Sequence, residues 1–434
     1  MKIVVITDSR SDATKLRSSN NAISENLIQK TKLIMDGVAK DGDSALIEYT
    51  EKFDRVRLDS LKVSREEFKM AYNSVTKEQI HSIMVIRERL TKIEKALLDL
   101  LRETVISSAG VKVKRTINPI SSVGCYIPGG KAHYPSSMVM CAVPAKVAGV
   151  RRIAAISPPL SDGTIDPLTL VAADICGIDE FYKIGGAHGI AALAFGTITV
   201  NKVSKIVGPG GIFVTIAKFL ASSKVSIDMI AGPTELLVYA DSTADPTLVA
   251  LDLISQAEHS YDTFCGLVTT DKEFAEEVNQ KIHSIVQKGN IKRAEIVKES
   301  LEKNGFIAIC KNISSAIEFI NEIAPEHLEI IAKSEQIISK KITSAGLVLI
   351  GKYTPSSASD YCLGSNHVLP TLGFGKSRAS LSVLDFIKVV NVVQATKQGL
   401  KKVQPFVKEI AMSEGLVNHY EAIKERLRDD KLVS

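Results

Sequence analysis

The sequence contains no tryptophan, and aromatic residues make up only 5% of its 434 positions. Proteins that bind single-stranded nucleic acid usually stack bases on aromatic rings, so this chain offers few such platforms. Its 54 basic residues exceed the 49 acidic ones by five, but the net charge of +5 is spread along the chain without a basic block. We therefore expect no nucleic-acid partner.

The sequence also lacks paired-cysteine motifs and long apolar runs. Its apolar stretch from Ile3 to Ile6 is too short for a secretory signal, and no run approaches the ~18 apolar residues of a membrane span. The cysteines show no C-x-x-C spacing and lie mostly within apolar runs, at positions 125, 141, 176, 265, 310 and 362. Such usage predicts buried thiols in a reducing compartment. We therefore expect a cytoplasmic protein with no membrane partner.

Hydrophobic residues make up 45% of the chain, enough for more than one core. Helical spacing of apolar residues predicts that the first hundred residues are mainly helical, from Ser24 to about Val38 and from Arg65 to about Glu103. Short Val/Ile-rich runs then alternate with helical stretches, first from Val111 and again from Glu235. This alternation predicts an α/β fold with two Rossmann-like parallel sheets. The remainder of the chain, from about 380, is predicted to be mainly helical, mixed with other structure.

Side chains able to bind a metal ion occur in the second half of the chain. Gln256 and His259 stand three apart in SQAEH, so on a helix both project from one face and could bind one ion. A solvated helix face is the alternative. Asp360 in TPSSASDY would by itself be a helix cap among serines, and His419 in EGLVNHY a solvated helix residue.

An acid and a base stand side by side as Glu326 and His327 in IAPEHLE, directly after Pro325. Helix-start chemistry is the alternative, because Pro-Glu is common in a first helical turn. Glycine-rich turns between Pro128 and Thr234 each follow a predicted strand, where small residues let a ligand approach the backbone. By themselves, these glycines favour tight strand-to-helix turns over a ligand site.

Together SQAEH, IAPEHLE, SSASDY, NHVLPT and EGLVNH resemble the histidinol dehydrogenases, which are zinc- and NAD-dependent enzymes. The likeness runs from about Ser24 to near Glu421. It implies oxidation of L-histidinol through L-histidinal to L-histidine, the last step of histidine biosynthesis. An enzyme of the same fold that oxidises another amino alcohol or diol is one alternative, and a zinc-binding but inactive regulatory protein is another.

The resemblance implies roles for individual residues. Glu326 and His327 form the catalytic pair. One zinc ion per subunit binds Gln256, His259, Asp360 and His419. The substrate contacts Thr234, Gln256, His259, His327, Asp360, His367, Glu414 and His419. NAD contacts Tyr126, His188 and Gly211, although the family usually has Gln in place of His188 and Asn in place of Gly211.

The resemblance also implies how the chain is divided. It gives an N-terminal segment (1–23), a first Rossmann-like domain with the metal and catalytic residues (24–107 and 234–379), a second on the NAD side (108–233) and a C-terminal tail (380–434). The first helices are then expected to pack with the second sheet. The tail is expected to reach into a neighbouring subunit, which makes the protein a domain-swapped homodimer.

Overall fold

The computed structural model describes residues 1–18, 24–129, 133–178, 180–288 and 291–428, so parts of the predicted N-terminal segment (19–23) and tail (429–434) lie outside the described residues. The chain begins with one strand and five helices: β1 (Lys2–Val5), α1 (Ser9–Ser18), α2 (Glu25–Asp41), α3 (Asp43–Asp54), α4 (Arg65–Asn73) and α5 (Lys77–Asp99). Ser64 and Thr76 each form a capping box, and the second box starts a new helix within the predicted stretch from Arg65. The predicted helical first hundred residues are confirmed.

A five-stranded parallel sheet follows a β-hairpin. Its elements and the hairpin are β2 (Thr104–Ser108), β3 (Val111–Pro119), β4 (Ser122–Tyr126), α6 (Pro135–Ala148), β5 (Arg152–Ser157), α7 (Pro167–Ile175), β6 (Glu180–Lys183), α8 (Gly186–Phe195), β7 (Lys205–Val207), α9 (Ile212–Ala221) and β8 (Ser226–Ile227). The strand order is β6-β5-β4-β7-β8. Because the order reverses direction between β4 and β7, their carboxyl ends flank a topological switch point, where such sheets bind ligands.

A six-stranded parallel sheet forms the second core, in the order β1-β11-β10-β9-β12-β13. Its further elements are β9 (Glu235–Ala240), α10 (Pro246–Ala257), β10 (Phe264–Thr269), α11 (Lys272–Gln287), α12 (Ala294–Lys303), β11 (Phe306–Ile309), α13 (Ile313–Ile323), β12 (His327–Ile331), α14 (Glu335–Ser339), β13 (Leu347–Ile350) and α15 (Ser356–Ser359). Both predicted parallel sheets are confirmed. The strand β1 was missed because it is short and lies at the edge, with Val5 66% exposed.

The first helices pack against the five-stranded sheet, so the expectation that they pack with the second sheet is wrong. Met35 and Leu46 of α2 and α3 share a core with α8 and α9, while Ile83 and Leu90 of α5 share one with α6 and α7. The helices α6 and α8 are buried on nearly every face, so each needs a cover on the side away from the sheet. The helices α2 to α5 supply that cover, and the predicted domain boundaries stay predictions.

The tail consists of β14 (Ile387–Ala395), α16 (Lys397–Ser413) and α17 (Val417–Arg426). The predicted helices are confirmed, but β14 was missed; it pairs antiparallel with β3 in a three-stranded sheet of order β14-β3-β2. Large apolar side chains remain exposed on this tail, among them Val389 (60%), Val393 (62%), Phe406 (72%) and Ile410 (61%). All six cysteines are free thiols. Within the described ranges, no helix is long and apolar enough to cross a membrane.

Candidate active site

The polar residues singled out in the sequence meet at the amino ends of two neighbouring strands. Thr234 directly precedes β9, and Glu326 directly precedes β12. The two strands pair in register, with His327 opposite Leu236. Since α10 runs back across the sheet, its last turn carries Gln256 to this same edge. Because His327 opens a strand, the alternative that Glu326 and His327 begin a helix is wrong.

A chain of hydrogen bonds fixes the carboxylate of Glu326. Its Oε2 accepts from the Thr234 hydroxyl at 2.7 Å and from the Glu235 backbone N–H at 2.7 Å. The Thr234 hydroxyl in turn accepts from Gln256 Nε2 at 2.7 Å. The amide of Gln256 is therefore oriented with its nitrogen toward Thr234, and its Oε1 accepts from the Ser356 hydroxyl at 3.4 Å, with a second lone pair left for a metal ion.

The imidazole of His327 is buried and has one fixed and one free nitrogen. Its Nδ1 donates to the Glu235 carbonyl oxygen at 3.1 Å, whereas Nε2 has no hydrogen-bond partner among the residues that the structure describes and lies 3.4 Å from Asp360 Oδ1. Burial by itself lowers the pKa of His327, but Glu326 and Asp360 outweigh it and together raise the pKa well above its usual value. The two carboxylates therefore stabilise the imidazolium, and the neutral ring that keeps its Nδ1–H bond is the form that can act as a base.

The segment after α15 brings Asp360 and His367 to the site. His367 Nδ1 donates to the Asp360 carbonyl oxygen at 2.7 Å, and His367 Nε2 lies 3.0 Å from the Ser137 hydroxyl of α6. Burial raises the pKa of the Asp360 carboxyl, but His327, His367 and His259 more than offset this effect and lower it overall. Since α6 follows β4, its contact with His367 joins the amino edge of the six-stranded sheet to the carboxyl edge of the five-stranded sheet.

Two carboxylates at this edge were not predicted from the sequence. Glu235 heads the apolar strand ELLVYA and is buried beside Glu326; a charged residue opening such a strand was the available signal. Glu329, in the middle of β12, accepts from the Ser356 N–H at 2.5 Å, and burial together with Asp252 raises its pKa to about 8. Glu329 therefore binds a proton at neutral pH, which makes it a support for the site and not a second ionised group.

The predicted NAD residues lie at the carboxyl edge of the five-stranded sheet. Tyr126 ends β4, and its hydroxyl accepts from the Gly186 N–H at 3.3 Å. Gly208 follows β7 with φ of +117°, and an added Cβ would lie 2.1 Å from the Tyr126 carbonyl oxygen, so only glycine fits there. Gly211 is exposed and begins α9 without a side-chain cap. Glycine at 208 therefore lets the turn after β7 pack directly against the end of β4.

His188 belongs to α8, and its ring faces α3. The Thr50 hydroxyl donates to the Leu46 carbonyl oxygen at 2.8 Å, so it accepts from His188 Nε2, 3.4 Å away, while Nδ1 has no partner in the described part of the chain. The ring also contacts Tyr49 and Phe53, with centroids 6.1 and 5.9 Å away. Burial lowers the pKa of His188 to about 4, which keeps it neutral. Its predicted contact with NAD stays a prediction.

Glu414 and His419 are the predicted zinc and substrate residues that a single chain does not bring to the edge of β9 and β12. Both are exposed, and the helix α16 packs on α17 and β14. Among the described residues, no group of three or more His, Cys, Asp or Glu side chains is placed to hold a metal ion. The predicted set explains this result, because Gln256 is an amide and His419 lies on the tail. One chain gathers Gln256, His259 and Asp360.

Comparison with known proteins identifies the family of this chain. A sequence model of the histidinol dehydrogenase family matches residues 17–427. A histidinol dehydrogenase of Clostridium acetobutylicum is 43% identical over 430 residues, covering 98% of this chain and 99% of the relative. One from Methanocaldococcus jannaschii is 40% identical over 419 residues, covering 96% and 97%. The crystal structure of histidinol dehydrogenase from Elizabethkingia anophelis superposes with a TM-score of 0.92 at 35% identity, covering 99% of this chain and 98% of that one. The chain therefore belongs to the histidinol dehydrogenase family.

Proposed function

We propose that the chain catalyses the NAD-dependent oxidation of L-histidinol through L-histidinal to L-histidine, the last step of histidine biosynthesis. The observation that carries this proposal is the Glu326–His327 pair, fixed by hydrogen bonds at the edge of β9 and β12 in a member of this family. Relatives that bear the enzyme's name match almost the whole chain. Another amino alcohol or diol is not favoured as the substrate.

His327 acts as the base in the first oxidation. In the neutral ring, Nε2 has no hydrogen-bond partner among the described residues and can accept the proton of the substrate hydroxyl, while the Nδ1–H bond to the Glu235 carbonyl oxygen fixes the ring. The charge that forms on the ring is stabilised by Glu326 and Asp360, which lie 3.6 and 3.4 Å from its nitrogens. NAD, when bound, supplies the hydride acceptor. Tyr126, His188 and Gly211 are the proposed contacts for it.

Glu326 acts in the second oxidation, which starts from a hydrated aldehyde. Both of its hydrogen bonds fall on Oε2, so Oε1 is the oxygen left to accept a proton from water. His327, whose ring nitrogens lie 3.6 and 3.4 Å from Glu326 and Asp360, must release its first proton and can then accept that of the hydrate. Burial of the pair keeps bulk water away from the reactive aldehyde.

The proposed zinc ligands are Gln256, His259 and Asp360 with His419 of the partner subunit. The donor set fits zinc, which binds nitrogen and oxygen atoms readily: Gln256 presents Oε1, and the neighbouring imidazoles favour the ionised form of Asp360. Zinc, when bound, supplies an anchor for the nitrogens of the amino alcohol. Thr234, His367 and Glu414 are the further substrate contacts that we propose.

A domain-swapped homodimer is part of the proposal. The tail carries exposed valines on β14 and exposed Phe406 and Ile410 on α16, and an apolar surface of this kind is typical of a subunit interface. Glu414 and His419 lie on that tail, away from the site of their own chain. The site of each subunit would then be completed by the other chain. The six free thiols fit a cytoplasmic location.

The test is a reaction of purified, zinc-loaded protein with L-histidinol and NAD, followed by NADH absorbance and by histidine analysis. We expect NADH and histidine in a ratio of about two to one, because each oxidation step reduces one NAD. Turnover of another alcohol with none of histidinol would contradict the substrate. No NADH from any alcohol by zinc-loaded protein would contradict the activity.

A further inference from the structure

We infer that Arg17 and Glu235 are positioning residues that hold the catalytic pair in place, so that the N-terminal helix α1 is part of the active-site scaffold. The inference rests on the proposed roles of Glu326 and His327. Neither Arg17 nor Glu235 is predicted to touch the substrate, zinc or NAD. Arg17 binds the backbone just before the pair, and Glu235 binds the pair itself from the neighbouring strand.

Arg17 makes a two-pronged ion pair with Glu235. Its Nη1 and Nη2 donate to the two carboxylate oxygens at 2.8 and 2.9 Å, in the fork geometry that makes such pairs strong and directional. The pair is shielded from water, with side-chain exposures of 14% for Arg17 and 2% for Glu235. In such surroundings the loss of the cation leaves a buried carboxylate unpaired, which is strongly unfavourable.

Arg17 also binds the end of α13, which leads into the catalytic pair. Its Nε donates to the Ile323 carbonyl oxygen at 2.7 Å, and Nη2 donates to the Ala324 carbonyl oxygen at 3.3 Å. These carbonyls lie at the carboxyl end of the helix, where the last C=O groups have no N–H donor within the helix. The partial negative charge there favours a cation such as Arg17. Ala324 has φ of +47°, an uncommon conformation for alanine, immediately before Pro325 and Glu326. Arg17 thus fixes the turn that sets the orientation of Glu326 and His327.

Glu235, which is held by Arg17, binds the catalytic pair directly from the neighbouring strand β9. Its Oε2 accepts from the Glu326 N–H at 3.2 Å, and its Oε1 accepts from the Leu372 N–H at 2.8 Å. Its own backbone N–H donates to Glu326 Oε2 at 2.7 Å, and its carbonyl oxygen accepts from His327 Nδ1 at 3.1 Å. Side chain and backbone of Glu235 therefore contact both members of the pair, and Arg17 is the counter-ion that holds Glu235.

The chain offers a matched control in the five-stranded sheet. Arg152 donates to Glu180 through Nε at 2.9 Å and Nη2 at 2.8 Å, and it also donates to the carbonyl oxygens of Lys202 and Asn201 at 3.0 Å. The variants Arg17→Met and Arg152→Met therefore remove the same kinds of bond. Only the first removes them beside the catalytic pair.

The experiment compares these two variants as zinc-loaded full-length protein, with L-histidinol and with L-histidinal. We expect kcat to fall ~10- to 100-fold in Arg17→Met with both substrates, because a shift of about 1 Å in a catalytic group costs rates of this order. The KM of Arg17→Met for NAD should stay within about twofold of the wild-type value. The kcat of Arg152→Met should also stay within about twofold of the wild-type value. Amide hydrogen exchange over 324–328 should quicken in Arg17→Met and stay unchanged in Arg152→Met.

Equal kcat in Arg17→Met and Arg152→Met would overturn the inference, as would an unchanged exchange rate over 324–328. If Arg17→Met does not fold, Arg17→Lys decides, because lysine keeps the charge but not the fork. A kcat several-fold below that of Arg152→Lys supports the inference, and equal values overturn it. Full activity of His327→Gln would instead overturn the proposed role of His327. No NADH formation by the zinc-loaded wild type would overturn the proposed function, so the failures are distinguishable.

Discussion

The two parallel sheets present their functional residues at opposite ends. In the five-stranded sheet the proposed NAD contacts lie at the carboxyl ends of the strands, where Gly208 packs against the Tyr126 carbonyl oxygen and the Gly186 N–H donates to the Tyr126 hydroxyl. The six-stranded sheet uses the amino ends of β9 and β12, where side chains such as Glu326 and His327 are fixed by hydrogen bonds. Only the first follows the usual location of ligand sites in α/β sheets. The difference suggests that a dinucleotide requires close approach of backbone, whereas proton transfer requires fixed side chains.

This comparison has a direct experimental consequence. Changes at the edge of β9 and β12 should lower kcat and leave NAD affinity nearly unchanged. Changes at the edge of β4, β6 and β7 should alter NAD affinity or stability and leave the chemical steps nearly unchanged. A change at the edge of β9 and β12 that mainly lowers NAD affinity, or one at the edge of β4, β6 and β7 that mainly slows the chemical steps, would weaken the comparison.

The largest effect is expected for His327→Gln. This change removes the residue that is proposed to accept the substrate's hydroxyl proton in both oxidations. Loss of a general base costs ~10²- to 10⁴-fold in rate, so kcat should fall by that factor with L-histidinol and with L-histidinal. The measurement is steady-state NADH formation together with an NAD titration of the same variant. A fall of less than tenfold, or a large loss of NAD affinity, would remove His327 from the proposed role.

Glu326→Gln should separate the two oxidation steps. Its amide oxygen can still accept the bonds from Thr234 and the Glu235 N–H, so the shape of the site is kept while the base is lost. Aldehyde oxidation, which needs an activated water, should fall ~100-fold, and alcohol oxidation only several-fold. Rates with L-histidinal and L-histidinol are compared under single-turnover conditions. An equal loss in both steps would show that Glu326 is not specific to the second.

His188→Gln should make the protein more resistant to acid. The pKa of His188 is lowered from 6.5 to about 4 by burial, so between these values the unfolded chain binds a proton that the folded chain does not. Folded stability therefore falls as the pH drops from 6.5 through about 4, by up to ~3 kcal/mol. Glutamine does not titrate, so the acid-unfolding midpoint of the variant should lie at lower pH. A midpoint unchanged from the wild type would show that His188 is not buried as a neutral ring.

The smallest effect is expected for Gly211→Asn. An added Cβ at Gly211 meets no atom within 4 Å, and φ of −67° suits any residue, so asparagine fits without a clash. It restores the family's amide, and one net hydrogen bond of ~0.5–1.5 kcal/mol predicts NAD binding tighter by a few-fold up to about tenfold. NAD is titrated against the single variant and against His188→Gln/Gly211→Asn. Improvement in the double variant alone would indicate that the two positions changed together.

Much of the fold was predictable because the local patterns are strong. The helices and parallel strands follow periodicities that a single stretch of sequence contains, as in ELLVYA and HLEIIA. The strands β1 and β14 were missed because both are largely exposed, so neither shows the buried apolar run by which the others were found. The packing of α2 to α5 was predicted wrongly because it depends on which buried helices need a cover, a property of the assembled sheet.

The site was predictable only where a short motif carries its residues. Gln256, Glu326 and Asp360 stand in segments that resemble those of the family, and the structure brings them to one edge. Arg17 and Glu235 stand 218 positions apart, and no local pattern links them. Their pairing is set by how α1 packs on α13 and by β1 joining the sheet, which only the folded chain reveals.

The central claim is that each catalytic edge is completed by the tail of a second chain, and subunit mixing tests it most directly. His259→Ala and His419→Ala should each be inactive, because each lacks one proposed zinc ligand. In a mixed dimer one site combines the intact body of one chain with the intact tail of the other, so statistical exchange should restore about a quarter of wild-type activity. No recovery after exchange has been verified with differently tagged chains would show that each chain completes its own site.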